Sequence, residues 1–178
     1  MQRRDSAERI EVRAATQADS SALADIYNPY VVGTTITFEE SAIDASEMAA
    51  RIVEADAAGL PFLVADVRGA PAGFTYASRW KGRCAYRHTA ETTVYVKHDR
   101  WRCGVGKALY TRLLERLQHA GTHAAIGGIA LPNESSIALH ERLGFVKVAQ
   151  FLEVGFKFNQ WIDVGYWQLL FNDGDAHE

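Results

Sequence analysis

The stretch Arg100-Trp101-Arg102-Cys103-Gly104-Val105-Gly106-Lys107 follows a strand-like run, Thr92-Thr93-Val94-Tyr95-Val96, and precedes a long amphipathic pattern. Arg100, Arg102 and Lys107 crowd the point where a helix starts, the end at which the helix dipole favours anions. Gly104 and Gly106 free the backbone to approach a ligand and turn its N–H groups outward. A bound polyanion, in particular a pyrophosphate, reconciles the two signals. Alone, the Gly-x-Gly element is weak, because it also occurs in dinucleotide folds and ordinary turns. It lacks the third glycine of a Rossmann fingerprint, and it follows the fourth strand, not the first.

Outward from this stretch, strand and helix patterns alternate. Ile10-Glu11-Val12-Arg13 alternates like a strand. Thr16 and Asp19 resemble a capping box opening a helix through Leu23, Ile26 and Tyr27, which Pro29 is expected to end or kink. Asp44 caps a second helix carrying Met48, Ile52 and Val53 and closed by Gly59. Segments 61–67 and 72–78 read as a hairpin around Arg68-Gly69-Ala70. Thr89–Val96 is a long strand rich in β-branched residues. Val105, Leu109, Leu113 and Leu117 then recur at helical spacing up to Gly121. Segment 124–131 is a short strand whose Gly127 and Gly128 admit a close neighbour. Asn133 caps a last helix that Gly144 ends, and strands 146–154 and 162–171 flank Lys157-Phe158-Asn159-Gln160. The order β-α-α-β-β-β-α-β-α-β-β predicts an α/β layer architecture with a mixed sheet.

The 178 residues are expected to form one domain, with a core of 9–171 between tails 1–8 and 172–178. Lysine and arginine total 19 against 22 acids, a net charge of −3, which gives no support to nucleic acid or a membrane as partner. The first residues, Met1 to Ser6, begin no apolar signal region, and no segment has the length of a membrane span. Cys84 and Cys103 match no metal spacing, so no metal is expected, and a disulfide between them is not expected in a cytoplasmic protein.

Several further segments carry a family resemblance. They are Trp80-Lys81-Gly82-Arg83, Thr89 to Val96, Leu131-Pro132-Asn133, Leu139-His140-Glu141, Val154-Gly155-Phe156-Lys157 and Trp161-Ile162-Asp163-Val164-Gly165-Tyr166-Trp167-Gln168. With the element order, they make the chain similar to the GNAT N-acetyltransferase superfamily, and within it to the phosphinothricin and methionine-sulfoximine acetyltransferases. The resemblance implies a mostly antiparallel sheet of about seven strands with about four helices, and a splay between the fourth and fifth strands. The superfamily loop pattern, R/Q-x-x-G-x-G/A, would place Arg or Gln where Trp101 stands, so Arg100 and Arg102 flank the departure. Asn159 stands where relatives often carry Gly, a position that Asn also tolerates.

The resemblance implies acetyl-CoA as donor, with Val94, Tyr95 and Val96 on the pantetheine arm. Arg102, Cys103, Gly104, Val105, Gly106 and Lys107 would hold the pyrophosphate, and Asn133 would lie near the thioester. It puts the general base on Glu91, an acid inside an otherwise uncharged strand, because an ammonium must lose a proton before it attacks. It puts proton transfer to the leaving thiolate on His140. Lys81, Gly82 and Arg83 would meet the acceptor's anionic groups, Glu91, Thr92 and Thr93 would floor its pocket, and Phe38 would wall it. The implied reaction is direct acetylation of the α-amino group of a small amino-acid-like molecule by a homodimer. Herbicide resistance would be one consequence. The alternatives are a protein N-terminus or polyamine as acceptor, and a non-catalytic acyl-CoA sensor.

Overall fold

The computed structural model describes residues 9–171, so the two expected tails lie outside the described residues. Its elements are β1 (Ile10–Ala14), α1 (Ser20–Gly33), α2 (Ala45–Ala57), β2 (Phe62–Val67), β3 (Ala70–Arg79), β4 (Thr89–Val96), α3 (Val105–His119), β5 (Ala124–Ala130), α4 (Glu134–Arg142), β6 (Val146–Lys157) and β7 (Gln160–Leu170). The order is the one the sequence patterns predict. The strands form one seven-stranded sheet in the order β1-β2-β3-β4-β5-β7-β6. Every neighbouring pair is antiparallel except β4 and β5.

Apolar side chains from alternate strand positions feed a core on each face. On one face Leu23, Tyr27 and Met48 of α1 and α2 pack on Phe74 and Tyr95. On the other, Leu109, Leu113 and Leu117 of α3 pack with Ala90, Ile129 and Trp167. The start of α1 is fixed by charge as well as by capping. Asp19 accepts from the Thr16 N–H at 2.7 Å and pairs with Arg13 of β1 at 2.7 Å. Arg13 also holds Asp66 of β2 at 2.7 Å, and its guanidinium lowers the Asp19 pKa to about 2.

One expectation is corrected. Pro29 does not end α1, which runs through it to Gly33. The ring removes one helical N–H, yet the residues after it remain helical. Asn28 clasps both backbone groups of Ile43, at 2.8 and 2.9 Å. On α2 the buried residues are Met48, Ile52 and Ala55, whereas Val53 is exposed.

Both hairpins close through two residues of positive φ, Arg68 and Gly69 (54° and 78°) and Phe158 and Asn159 (50° and 59°). Such turns match the twist of paired strands. The second one lets β6 and β7 continue past 154 and before 162, further than the sequence pattern suggested. β6 also carries a bulge, since Phe151 faces Val164 while Gly155 faces Ile162.

Candidate active site

β4 and β5 pair only from Thr89 to Glu91 against Ala124 to Ile126. Beyond that point side chains replace the ladder. The Thr92 hydroxyl donates to the Ile126 carbonyl at 3.2 Å. The Tyr110 hydroxyl from α3 lies 3.1 Å from the Thr92 carbonyl and 3.0 Å from Nε2 of His140 on α4. A Cβ on Gly127 would overlap the His140 ring, so this glycine makes room for it against β5. The buried cluster thus stands where backbone pairing would have continued, and the two strands part.

Alternation decides which groups face the gap. Lys97 donates its N–H to the Ala72 carbonyl at 2.9 Å, so odd residues of β4 bond to β3. The backbone groups of Val94 and Val96 therefore point into the gap, and those of Tyr95 into the β3 ladder. The Val96 carbonyl is already taken. It accepts from the Trp101 indole N–H at 3.0 Å and from the Tyr30 hydroxyl. Trp101, in the departing slot of the loop, thus fastens the end of β4, with His98 edge-on at 4.6 Å.

On the α1–α2 face, the parting strands open into a cavity of about 510 Å³. Glu91, Gly128, Ala130, Tyr166, Phe38 and Gly155 are among the residues that line it. Glu91 is half-buried, and its carboxylate lies beside Gly128, where a Cβ would stand 3.5 Å from Oε1. Burial raises the Glu91 pKa, and the positive charge of Lys81 pulls it partly back. Trp80 lies edge-on to Tyr166 at 5.6 Å, and the Lys81 ammonium sits 4.9 Å from the Trp80 ring centre.

At the far end of the gap α3 begins without a side-chain cap. Gly104 is its N-cap with φ 87°, and no acid stands in the first turn. By contrast, Asp44 caps α2 and Asn133 caps α4 through side-chain oxygens. The first α3 bond runs from the Ala108 N–H to the Gly104 carbonyl at 3.0 Å, so the N–H groups of Val105, Gly106 and Lys107 precede the helical ladder. An anion would complete them. With the opened β4 edge, this donor set fits a long chain ending in phosphates, as in acetyl-CoA.

The Acetyltransferase (GNAT) domain family matches residues 12–165. This chain belongs to the GNAT acetyltransferase family. It is similar to the phosphinothricin N-acetyltransferase of Streptomyces viridochromogenes, at 40% identity over 89% of this chain and 86% of that one. It is 32% identical to the L-methionine sulfoximine/L-methionine sulfone acetyltransferase of Salmonella typhimurium, over 94% and 98% of the two chains. A phosphinothricin acetyltransferase from Sinorhizobium meliloti, solved in complex with acetyl-CoA, superposes with a TM-score of 0.89 at 35% identity, covering 95% and 92%.

Within this acetyltransferase the expected site residues divide between the two faces of the sheet. Glu91, Thr93 and Tyr95 share the cavity's face. Thr92 does not, which corrects its expected place on the pocket floor. Alternation turns its side chain to the α3 face, where it is 3% exposed beside Tyr110. His140 also lies on that face, 3% exposed, with Nδ1 2.8 Å from the Ser136 carbonyl. Burial lowers its pKa, so the neutral ring donates from Nδ1 and accepts at Nε2. Lys81, Gly82 and Arg83 lie on an exposed loop, Lys81 close enough to act on Glu91. Cys103 is exposed and donates to the Trp101 carbonyl at 3.4 Å. Among the described residues no cluster of three or more His, Cys, Asp or Glu could hold a metal. The sequence patterns did not place Tyr166, Gly128 and Gly155 at the cavity, where they meet only through pairing of β5, β6 and β7. Their signal was an aromatic and two glycines inside strand patterns.

The Glu91 charge should cost stability. The folded protein holds the Glu91 proton more tightly than the unfolded chain, whose glutamate pKa is about 4.3. Stability therefore falls as pH rises from that value through the raised folded one. Thermal denaturation should show Glu91→Gln more stable than wild type at about pH 7, the difference closing as pH is lowered towards about 4. A variant less stable than wild type at neutral pH would contradict the shift.

Proposed function

We infer that this enzyme acetylates the α-amino group of a small amino-acid-like acceptor of the phosphinothricin, methionine sulfoximine or methionine sulfone type. The observation that carries this reading is Glu91 at the mouth of the strand gap, facing a cavity of about 510 Å³. That volume suits a small molecule better than a protein chain, and Glu91 is the one acid among the described residues that line it. The names of the relatives point to the same acceptor class.

Acetyl-CoA supplies an activated acetyl thioester. Val94 and Val96 would present backbone groups to its pantetheine arm, and an N–H of this edge would polarise the thioester carbonyl. The family resemblance also implies Tyr95, whose backbone lies in the β3 ladder; its ring instead lines the cavity. Arg102, Cys103, Gly104, Val105, Gly106 and Lys107 would hold the pyrophosphate, mainly through backbone N–H groups. Asn133, whose Oδ1 caps α4, would offer its amide N–H to the arm.

Glu91 would take the proton from the acceptor's ammonium, directly or through one water, leaving a lone pair to attack. Its raised pKa brings a carboxylate base nearer to the operating pH. Lys81 and Arg83 would meet the acceptor's carboxylate and head group, with Gly82 between them, and Thr93 and Phe38 would border the pocket. We assign His140 to positioning. Its ring nitrogens are engaged on the opposite face, where it holds Tyr110 between the strands.

A thiol-release assay with acetyl-CoA should show turnover on phosphinothricin, methionine sulfoximine and methionine sulfone well above polyamines and an N-terminal alanine peptide. Comparable rates on all would refute the acceptor class, and binding without turnover would make the protein a sensor. Glu91→Gln should lower kcat by about 10²-fold and remove the acid limb of the pH–rate profile. An unchanged profile would remove Glu91 as the base.

The enzyme would act as a homodimer. β6 is an edge strand and, with its hairpin, exposes Val148, Phe151, Leu152, Phe158 and Trp161. Exposed free Cys84 and Cys103 accord with a cytoplasmic location. Sedimentation equilibrium should give twice the chain mass for wild type and the single mass for Leu152→Glu/Trp161→Glu. A monomeric wild type would overturn the dimer.

A further inference from the structure

Phe38 and Gly155 interlock across the cavity wall. A Cβ built on Gly155 would collide with the Phe38 ring, whose Cε1, Cζ and Cδ1 are its three nearest atoms. The two residues come from opposite ends of the chain, and each is held in place by its own set of contacts. On the Gly155 side, the β6 bulge is stapled by Asp163. Its carboxylate accepts from the Glu153 N–H at 2.9 Å and from Gln150 Nε2 at 2.9 Å. Glu153 takes φ 51° there, and the bulge turns Val154 and Gly155 to the cavity.

On the Phe38 side, the connection between α1 and α2 makes no ladder, and side chains pin it instead. Thr37 meets the Tyr27 hydroxyl at 2.7 Å. The Thr37 carbonyl accepts from Lys157 Nζ at 2.7 Å, and Lys157 is 1% exposed. Glu39 pairs with Arg51 at 2.8 Å. The backbone is therefore fixed on both sides of Phe38, while the ring turns about its own side-chain bonds. A side chain at 155 would move the ring and leave the strap in place.

We propose that Gly155 is a specificity-determining position: its missing side chain seats Phe38, and the seated ring limits how long an acceptor side chain the cavity admits. Asp163 and Lys157 are positioning residues that bring the two together. This rests on the cavity being the acceptor site, as inferred above.

The test is steady-state kinetics on Gly155→Ala, Phe38→Ala and the double variant, with methionine sulfone and a longer-chain analogue as acceptors. Gly155→Ala should lower kcat/KM for methionine sulfone by about 10-fold through KM, since small misplacements near a reacting group are costly, with KM for acetyl-CoA unchanged. In the Phe38→Ala background the same change should have no further effect, because the ring it displaces is gone. Phe38→Ala alone should raise the preference for the longer acceptor, which keeps the proposal testable if Gly155→Ala fails to fold. An equal loss from Gly155→Ala in both backgrounds, or a Phe38→Ala enzyme with unchanged length preference but altered acceptor KM, would overturn the interlock. Unchanged acceptor KM in both single variants would instead show that the cavity is not the acceptor site.

Discussion

Tyr110 reaches from α3 and bonds the Thr92 carbonyl at 3.1 Å, the group that a continuing parallel ladder would have paired with β5. A buried carbonyl without a partner costs on the order of 1–3 kcal/mol, and the single Tyr110 proton is shared between this carbonyl and the accepting Nε2 of His140. His140 holds the same hydroxyl from the other side and fits against β5 only because residue 127 is glycine. Thr92 completes the arrangement by turning its own hydroxyl to Ile126. Among the described residues no buried side-chain polar atom lacks a partner. The gap between β4 and β5, and with it the cavity, the Val94 and Val96 edge and the setting of Glu91, follows from this cluster.

Burial and charge then divide the labour along the gap. At the α3 end, uncapped N–H groups and nearby cations make an anion welcome. At the cavity end, burial makes a carboxylate hold its proton more strongly, and one lysine limits that effect. Trp101 belongs to neither end electrostatically. Its indole closes the Val96 carbonyl, leaving the loop's positive charge to its neighbours.

The sequence disclosed whatever is local. Element order followed from periodicity and caps, the Asn159 turn from left-handed tolerance, and the uncapped α3 start from Gly104 and its cationic neighbours. Glu91 stood out as the isolated acid in a β-branched run. What escaped depended on tertiary pairing. The face taken by Thr92 is set by which neighbour β4 bonds to, and no strand pattern states that. The burial of His140 depends on Gly127, in a different element. The seat of Phe38 needs a bulge in β6 that only the register with β7 reveals.

That the opened edge of β4 receives the pantetheine arm is tested most directly by residue-resolved amide hydrogen exchange with and without acetyl-CoA. The Val94 and Val96 amides, turned into the gap, should gain protection on binding. The Tyr95 amide, already in the β3 ladder, should not change. Protection that appears at Tyr95 and not at its two neighbours, or at none of the three while acetyl-CoA is bound, would contradict the account.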